Sequence, residues 1–408
     1  MNVNLTSKSV TDVIIIIALL FFIEFFSLKT LEDSSMISAG VFGFGVLFLI
    51  TTIIAILYKT GYRLHLLDKL VLYYVIAIFL SLLAVYNYWD QSLISSFLAY
   101  RDFYIFFLYF VLIATNATQE RVERIFIILF FLSLFIFFVD YLTFPDSIFA
   151  NRSEERREGI TIYFYGTGFT FLGAFYYLNK FFRKWNFFYL LWFGLAFVCL
   201  FFLTQSRMNL IALVLGFFLL LVDSDFRYKW SLVVAGMIGA LVFYNTSAAF
   251  DGIKEENQAQ AKYYKDDIRV QSQEFYLTEL QGGIGTVIFG NGHPSGGSRL
   301  ENATFKGMKK GYFTSDVGIT GIFSYFGLMG VVFWGIIFPI AFFTKYGQDL
   351  QYIRAYFLTI FTTVLTGYSL FEPGYMPVTV LALYLLRCNI IQKSSSNSLL
   401  TDNKECLC

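Results

Sequence analysis

Runs of roughly twenty apolar residues recur from one end of the chain to the other. At ~1.5 Å per residue each is long enough to cross a ~30 Å hydrocarbon core as a helix. They lie near 12–29, 36–58, 69–86, 97–115, 125–144, 161–179, 187–204, 205–222, 230–247, 316–343, 355–371 and 375–391. A transmembrane β-barrel would alternate apolar and polar residues over ~10-residue segments. A stretch such as "VIIIIALLFFI" does not alternate. Composition agrees: of 408 residues 57% are apolar, 21% aromatic and only 14% charged. A soluble domain of this length could not hide that much apolar surface. The fold class expected is therefore all-α, a polytopic integral membrane protein of about twelve spans. It is read as a single membrane domain over 1–408.

Lys and Arg in the short loops set the orientation. With both termini inside, the inner loops read "KTGYRLHLLDK", "NATQERVER", "NKFFRKWN", "DSDFRYKW" and "TKYGQDLQYIR", and each carries at least two Lys or Arg residues. The short outer loops "LEDSS", "NYWDQSLIS" and "EPGYMP" carry no Lys or Arg. No small-residue cleavage site follows the first span, so it reads as a retained helix. The four cysteines, Cys199, Cys388, Cys406 and Cys408, avoid the outer loops and imply no disulfide framework. Residues 392–408 read as a cytoplasmic tail.

Two outer segments break the pattern. One is "FPDSIFANRSEERREGI" at 144–160. The other is the long polar stretch 248–315, between the ninth and tenth spans, with eight Lys and Arg residues, Arg269 and Lys309 among them. Long loops translocate regardless of charge, so this does not disturb the topology. Its first half reads as one or two helices on the membrane surface. Its second half, "QGGIGTVIFGNGHPSGGSRLENATFKGMKKGYFTSD", is glycine-rich and turns repeatedly.

An arginine interrupts "FFLTQSRMNLIALVLGFFLLLV" at 201–222. The apolar run 210–222 is about 20 Å of helix, too short to span. Residues 204–209 are drawn towards the membrane to complete it. Arg207 then sits at the outer boundary beside Gln205, Ser206 and Asn209. It is either a snorkelling anchor or a cation facing a protein cavity and meeting an anion there.

"LTQSRMNLIAL" resembles the T-x-S-R helix start of bacterial polysaccharide polymerases of the O-antigen (Wzy) type and of the related O-antigen ligases. "RREGITIYFYGTGFTFLGAF" is similar to the R-x-x-G segment of those proteins, with Tyr163–Phe164–Tyr165–Gly166 where Pro–Asn is usual. "RVQSQEFYLTELQGGIGTVIFGNG" resembles their long-loop pattern of an Arg, a short helix and G-x-G. "SDVGITGIFSYFGLMG" looks like the segment that re-enters the membrane with G-x-x-G. The resemblance implies glycosyl transfer on the outer face of the cytoplasmic membrane. The donor would be an undecaprenyl-diphosphate-linked oligosaccharide and the acceptor a hydroxyl of another lipid-linked repeat unit.

The implied leaving group is a diphosphate, so no nucleotide sugar, metal or other cofactor is expected. Arginines positioned on a diphosphate stabilise the charge it gains in the transition state. Arg207 and Arg269 are the candidates for that role, with Arg157 a third for glycan or phosphate. The partners expected are the lipid-linked glycan, the bilayer and a chain-length regulator protein. Nucleic acid is not among them.

A base must activate the acceptor hydroxyl. The outer candidates are His293, Asp316 and Glu274. The related ligases place a histidine near the start of the span after the loop, where this chain has Asp316. His293, in "GNGHPSGG", is either an exposed turn residue or the base. Asp316, beside Thr314 and Ser315, is either a helix cap or functional. Glu24 is structural or faces the cavity. Arg101 and Asp102 point to different faces as neighbours, so a partner for Arg101 on another helix is expected. Glu372, in "FEPGYMP", shapes the cavity mouth or is a solvated turn.

Two rival readings remain. A flippase or other transporter would share the span count but show internal symmetry and short loops. The ligase would move finished glycan to a lipid core. Asp316 in place of the histidine leans towards the polymerase.

Overall fold

The computed structural model describes residues 3–31, 35–58, 64–146, 148–149, 152–156, 159–163, 165–203, 207–225, 229–231, 233–234, 267–365, 367 and 369–405. Most of the expected ninth span and residues 248–266 of the long loop lie outside them. Helices dominate the rest, as the apolar runs require: the protein is an all-α membrane protein, with one short hairpin among the described residues. Among the described residues four helices are long and apolar enough to cross a membrane: Ser35–Ala55, Leu66–Trp89, Gln119–Thr143 and Ile319–Phe343. Val10–Phe22, Phe187–Phe201 and Met208–Asp223 are shorter apolar helices.

Local chemistry fixes the helix ends. The Leu66–Trp89 helix starts where the Asp68 carboxylate accepts the His65 backbone N–H at 3.0 Å, and it stops at Asp90 in the left-handed region. The Gln119–Thr143 helix starts at Thr118, whose hydroxyl accepts from the Arg121 N–H at 3.3 Å. These polar caps satisfy backbone groups that helix ends leave open.

Three expectations change. The span at 97–115 is broken: Leu93–Ala99 and 101–114 meet at a 60° bend, and Arg101–Phe106 is a 3₁₀ helix. Residues Arg152–Arg156 and Gly159–Tyr163 form an antiparallel strand pair with Arg152 opposite Tyr163, and the next helix starts only at Thr167. The helix expected over 355–371 runs instead over Gln351–Val364.

Lipid offers helices little hydrophobic reason to associate, so packing and polar contacts must hold them. The aromatic residues supply the packing. Tyr74 stacks on Phe333 with ring centres 4.4 Å apart and meets Phe106 and Phe326 edge-on. Polar ties close one end of the bundle. Buried Asp68 accepts from Arg387 Nε at 2.8 Å and from the Tyr109 hydroxyl at 2.6 Å. Glu123 accepts from the Tyr352 hydroxyl at 3.1 Å, and Arg354 pairs with Asp223 at 2.7 Å. The opposite end gathers the segments around 89–103, 165–168, 290–298 and 369–376. Each end thus collects the helix termini that an up-and-down alternation brings together.

Candidate functional site

At that second end the glycine-rich segment of the long loop threads past a break in the Ile319–Phe343 helix. The break is at Gly327, with φ +60°. Gly290, with φ +87°, lies against it, and a Cβ there would sit 2.1 Å from the Tyr325 carbonyl oxygen. A Cβ on Gly327 would sit 2.5 Å from the Gly290 nitrogen. Only glycine fits a positive φ at such close backbone approach. The Asn291 N–H donates to the Ser324 carbonyl at 2.7 Å and the Gly292 N–H to the Tyr325 carbonyl at 3.2 Å. The two segments quoted above for G-x-G and G-x-x-G are therefore in direct contact.

Gln91, two residues beyond the Leu66–Trp89 helix, anchors the same loop. Its Oε1 accepts from the Ser295 N–H at 2.9 Å and the Ser298 hydroxyl at 2.8 Å. Its Nε2 donates to the His293 carbonyl at 2.9 Å and to Ser96 Oγ at 3.0 Å. Trp89 Nε1 donates to Asn291 Oδ1 at 2.9 Å. This holds His293 half-buried, with its ring stacked on Tyr325 at 5.5 Å. His293 is therefore not an exposed turn residue.

His293 Nδ1 lies 3.1 Å from the Pro294 carbonyl oxygen. A carbonyl only accepts, so Nδ1 carries the hydrogen and Nε2 presents a lone pair. Burial pushes the imidazole below the ordinary histidine range. The Arg101 charge acts the same way, and the Pro294 hydrogen bond opposes it. The result is a neutral, oriented imidazole at physiological pH, the form a general base requires.

Arg101 begins the 3₁₀ turn beside this ring. Its Nε is 3.8 Å from Asp102 Oδ1, so its partner is its own neighbour rather than a residue on another helix. The hairpin at 369–376 completes the site. Phe371 packs on Tyr325 and on Phe103, with ring centres 6.1 and 5.6 Å apart. Glu372 follows it, half-buried, and burial pushes its carboxyl up to about 7. The next tyrosine, Tyr375, is hydrogen-bonded to the Asn209 side chain, which brings the start of the Arg207–Asp223 helix to Glu372.

The other expected site residues fall as follows. Arg207 opens its helix, and its side chain lies outside what the structure describes. Ile211 and Val214, in helical register with position 207, are 46% and 36% exposed. Arg269 is exposed in the first turn of the Ile268–Glu274 helix, which Asp267 caps. Arg157 lies outside the described residues. Asp316 is exposed in a 3₁₀ turn and does not cap the next helix, since Gly318 holds that position. Glu274 is exposed at the end of its helix. Among the described residues no three His, Cys, Asp or Glu side chains gather as a metal site would need.

Sequence reading missed Gln91 and Tyr325. No local pattern marks either, because their partners are distant along the chain. The paired glycines at 290 and 327 were the available signal. Compared with known proteins, the chain matches no family model and no curated sequence.

Proposed function

We propose that the protein is a membrane glycosyltransferase of the O-antigen polymerase type. It takes a growing glycan from its polyprenyl diphosphate carrier and joins it to a hydroxyl of a lipid-linked repeat unit. The observation that carries this reading is the oriented neutral His293, held beside Arg101 where the long loop meets the membrane helices. In the reaction the acceptor oxygen attacks the anomeric carbon and the carbon–oxygen bond to the diphosphate breaks. His293 Nε2 takes the hydroxyl proton, and the diphosphate leaves on its lipid. Arg101, whose charge acts on His293, stabilises the departing charge. Arg207 and Arg269 serve the diphosphate, Arg157 the glycan or phosphate, and Asp316 is the alternative base.

The proposal carries a topology: about twelve spans, both termini cytoplasmic and residues 248–315 outside, in the bacterial cytoplasmic membrane. The Lys and Arg residues of the inner loops support it. Reporter fusions at Gln258 and Asn397 test it, and cytoplasmic activity at Gln258 overturns it. For the reaction, purified protein is reconstituted with a polyprenyl-diphosphate oligosaccharide. A ladder of longer lipid-linked glycans is expected, lost on His293→Ala in protein that remains folded. Transfer to a lipid-A-type core without a ladder favours the ligase. Movement of the lipid-linked unit between leaflets without bond formation favours the flippase.

A further inference from the structure

The Arg299–Lys309 helix, "RLENATFKGMK", has two unlike faces. One packs down: Leu300 is 1% exposed, and a Cβ on Gly307 would meet the Phe275 ring at 2.7 Å. The other presents Phe305 and Met308, which are 54% and 43% exposed. Lys306 and Lys309 share that half of the helix and Lys310 follows it, all three exposed. Lys309 Nζ lies 4.6 Å from the Phe305 ring centre and Lys310 Nζ 5.8 Å from that of Tyr312. The helix has one acid, Glu301, and it is occupied with the Gly297 N–H at 2.5 Å.

Lysines in a last helical turn suit the helix dipole wherever the helix sits. The dipole does not account for two large apolar side chains exposed beside them. The position of the helix does. Arg299 Nη1 pairs with Asp90 Oδ2 at 3.1 Å, and Nη2 donates to the Tyr88 carbonyl at 3.1 Å. Tyr88 and Asp90 stand at the end of the membrane-length Leu66–Trp89 helix. The amphipathic helix thus starts at the level where hydrocarbon gives way to headgroups. An apolar stripe flanked by lysines at that level matches a surface of anionic lipid.

We infer that Phe305 and Met308 insert into the adjacent membrane leaflet and that Lys306, Lys309 and Lys310 bind phosphates of anionic lipids, which fixes the long loop to the membrane surface. This does not depend on the glycosyltransferase reading.

The test uses the full-length protein in bilayers. Phe305→Cys and Met308→Cys are made with Cys199, Cys388, Cys406 and Cys408 replaced by Ser, and labelled with bimane. Bilayers are phosphatidylcholine with or without phosphatidylglycerol, brominated near the headgroup end of the acyl chains. Bromolipid quenching at both positions is expected to exceed aqueous acrylamide quenching by roughly twofold or more, as insertion ~5–10 Å deep requires. It is expected to weaken when phosphatidylglycerol is omitted and in the Lys306→Gln/Lys309→Gln/Lys310→Gln variant. Quenching by acrylamide alone overturns the inference in favour of a solvated face. Quenching by neither overturns it in favour of a covering protein, and equal bromolipid quenching in both bilayers overturns the role given to the lysines. A second measurement keeps the native cysteines. Acylation of Lys306, Lys309 and Lys310 in the unmodified chain should slow about threefold or more with phosphatidylglycerol present, and unchanged rates also overturn the inference.

Discussion

Gln91 donates from Nε2 to the carbonyl oxygen of His293 at 2.9 Å, although 202 positions separate them in the chain. The same amide accepts from Ser295 and Ser298. One buried side chain thus fixes the loop that carries the proposed base. Gln91→Ala leaves buried groups on both sides without partners, at ~1–3 kcal/mol each where water does not replace the contact. The thermal midpoint in detergent should fall by several degrees. Glycan transfer should fall further than the loss of folded protein explains. Gln91→Glu should be little better, because a carboxylate cannot donate to the His293 carbonyl. A Gln91→Glu variant with full stability and activity would remove the anchoring role.

The crossing of Gly290 and Gly327 gives a graded prediction. Gly290→Ala must place a Cβ 2.1 Å from the Tyr325 carbonyl oxygen, which the backbone cannot absorb without moving. It should abolish folded yield or shift the loop. Gly297 also has positive φ, +70°, but a Cβ there meets nothing within 4 Å. Gly297→Ala should cost only the ~1–2 kcal/mol of a left-handed conformation. Size-exclusion profiles and thermal melts of the two variants check this order. Equal behaviour would mean the close approach does not matter.

At the opposite end, Asp68→Ala should be among the most damaging single changes. It removes the carboxylate that both the largely buried Arg387 and the Tyr109 hydroxyl donate to. Breaking a buried pair from one side costs ~3–5 kcal/mol. Tyr109→Phe removes one hydrogen bond to a charged group and should cost ~1.5–3 kcal/mol. Restoration of stability by Asp68→Leu with Arg387→Met would show that the pair serves specificity more than net stability. Denaturant or thermal unfolding in a fixed detergent measures all three.

The fold was legible where solvent, here lipid, dictates it. The Leu66–Trp89 and Ile319–Phe343 helices lie close to the apolar runs at 69–86 and 316–343, because hydropathy reports what surrounds a helix. Hydropathy says nothing about a backbone that breaks while remaining apolar, so the bend before Arg101 was invisible in "LISSFLAYRDFYIFF". The strand pair Arg152–Arg156 with Gly159–Tyr163 was missed for a related reason: the charged run "SEERRE" read only as part of an outer segment. In the site, His293 was visible as a rare outer histidine. Its stacking on Tyr325 and its tie to Gln91 depend on tertiary contacts that one sequence does not display. Arg101 was read as structural because its proximity to His293 exists only in the folded chain.

The pH dependence separates His293 from Glu372. The folded imidazole titrates below the ordinary 6.5, so just below pH 6.5 the folded state binds fewer protons than the unfolded state. Its contribution to stability is present above 6.5 and is lost as pH falls through the folded value. Activity that needs its neutral form should persist below pH 6.5 before declining. Glu372 acts in the opposite sense, because its carboxyl rises from 4.5 to about 7. Its contribution is fully present below 4.5 and is lost as pH rises to about 7. Glu372→Gln should therefore raise the thermal midpoint at pH 8 relative to the unsubstituted protein and change little at pH 4.5. Parallel melting curves against pH decide this. A Glu372→Gln curve displaced equally at both pH values would show that the carboxyl does not titrate as stated.

Arg207 is the sharpest test of the diphosphate reading. Two structural facts pull in different directions. The hydrogen bond between Asn209 and Tyr375 brings the start of the helix to Glu372. Yet the positions in register with 207, Ile211 and Val214, are exposed as lipid-facing residues are. An arginine on a diphosphate uses a planar bidentate fork, whereas an anchor needs only a charge that reaches the headgroups. Arg207→Ala should abolish long polymer and leave single lipid-linked units to accumulate. Arg207→Lys should restore only part of the rate, since losing one charge-assisted contact that tightens in the transition state is worth ~3 kcal/mol, about a hundredfold. Arg101→Lys should show the same deficit, and Lys309→Gln much less. If Arg207→Lys makes wild-type amounts of long polymer at matched expression while Arg101→Lys does not, then Arg207 is an anchor and the diphosphate is held from the side of Arg101 alone.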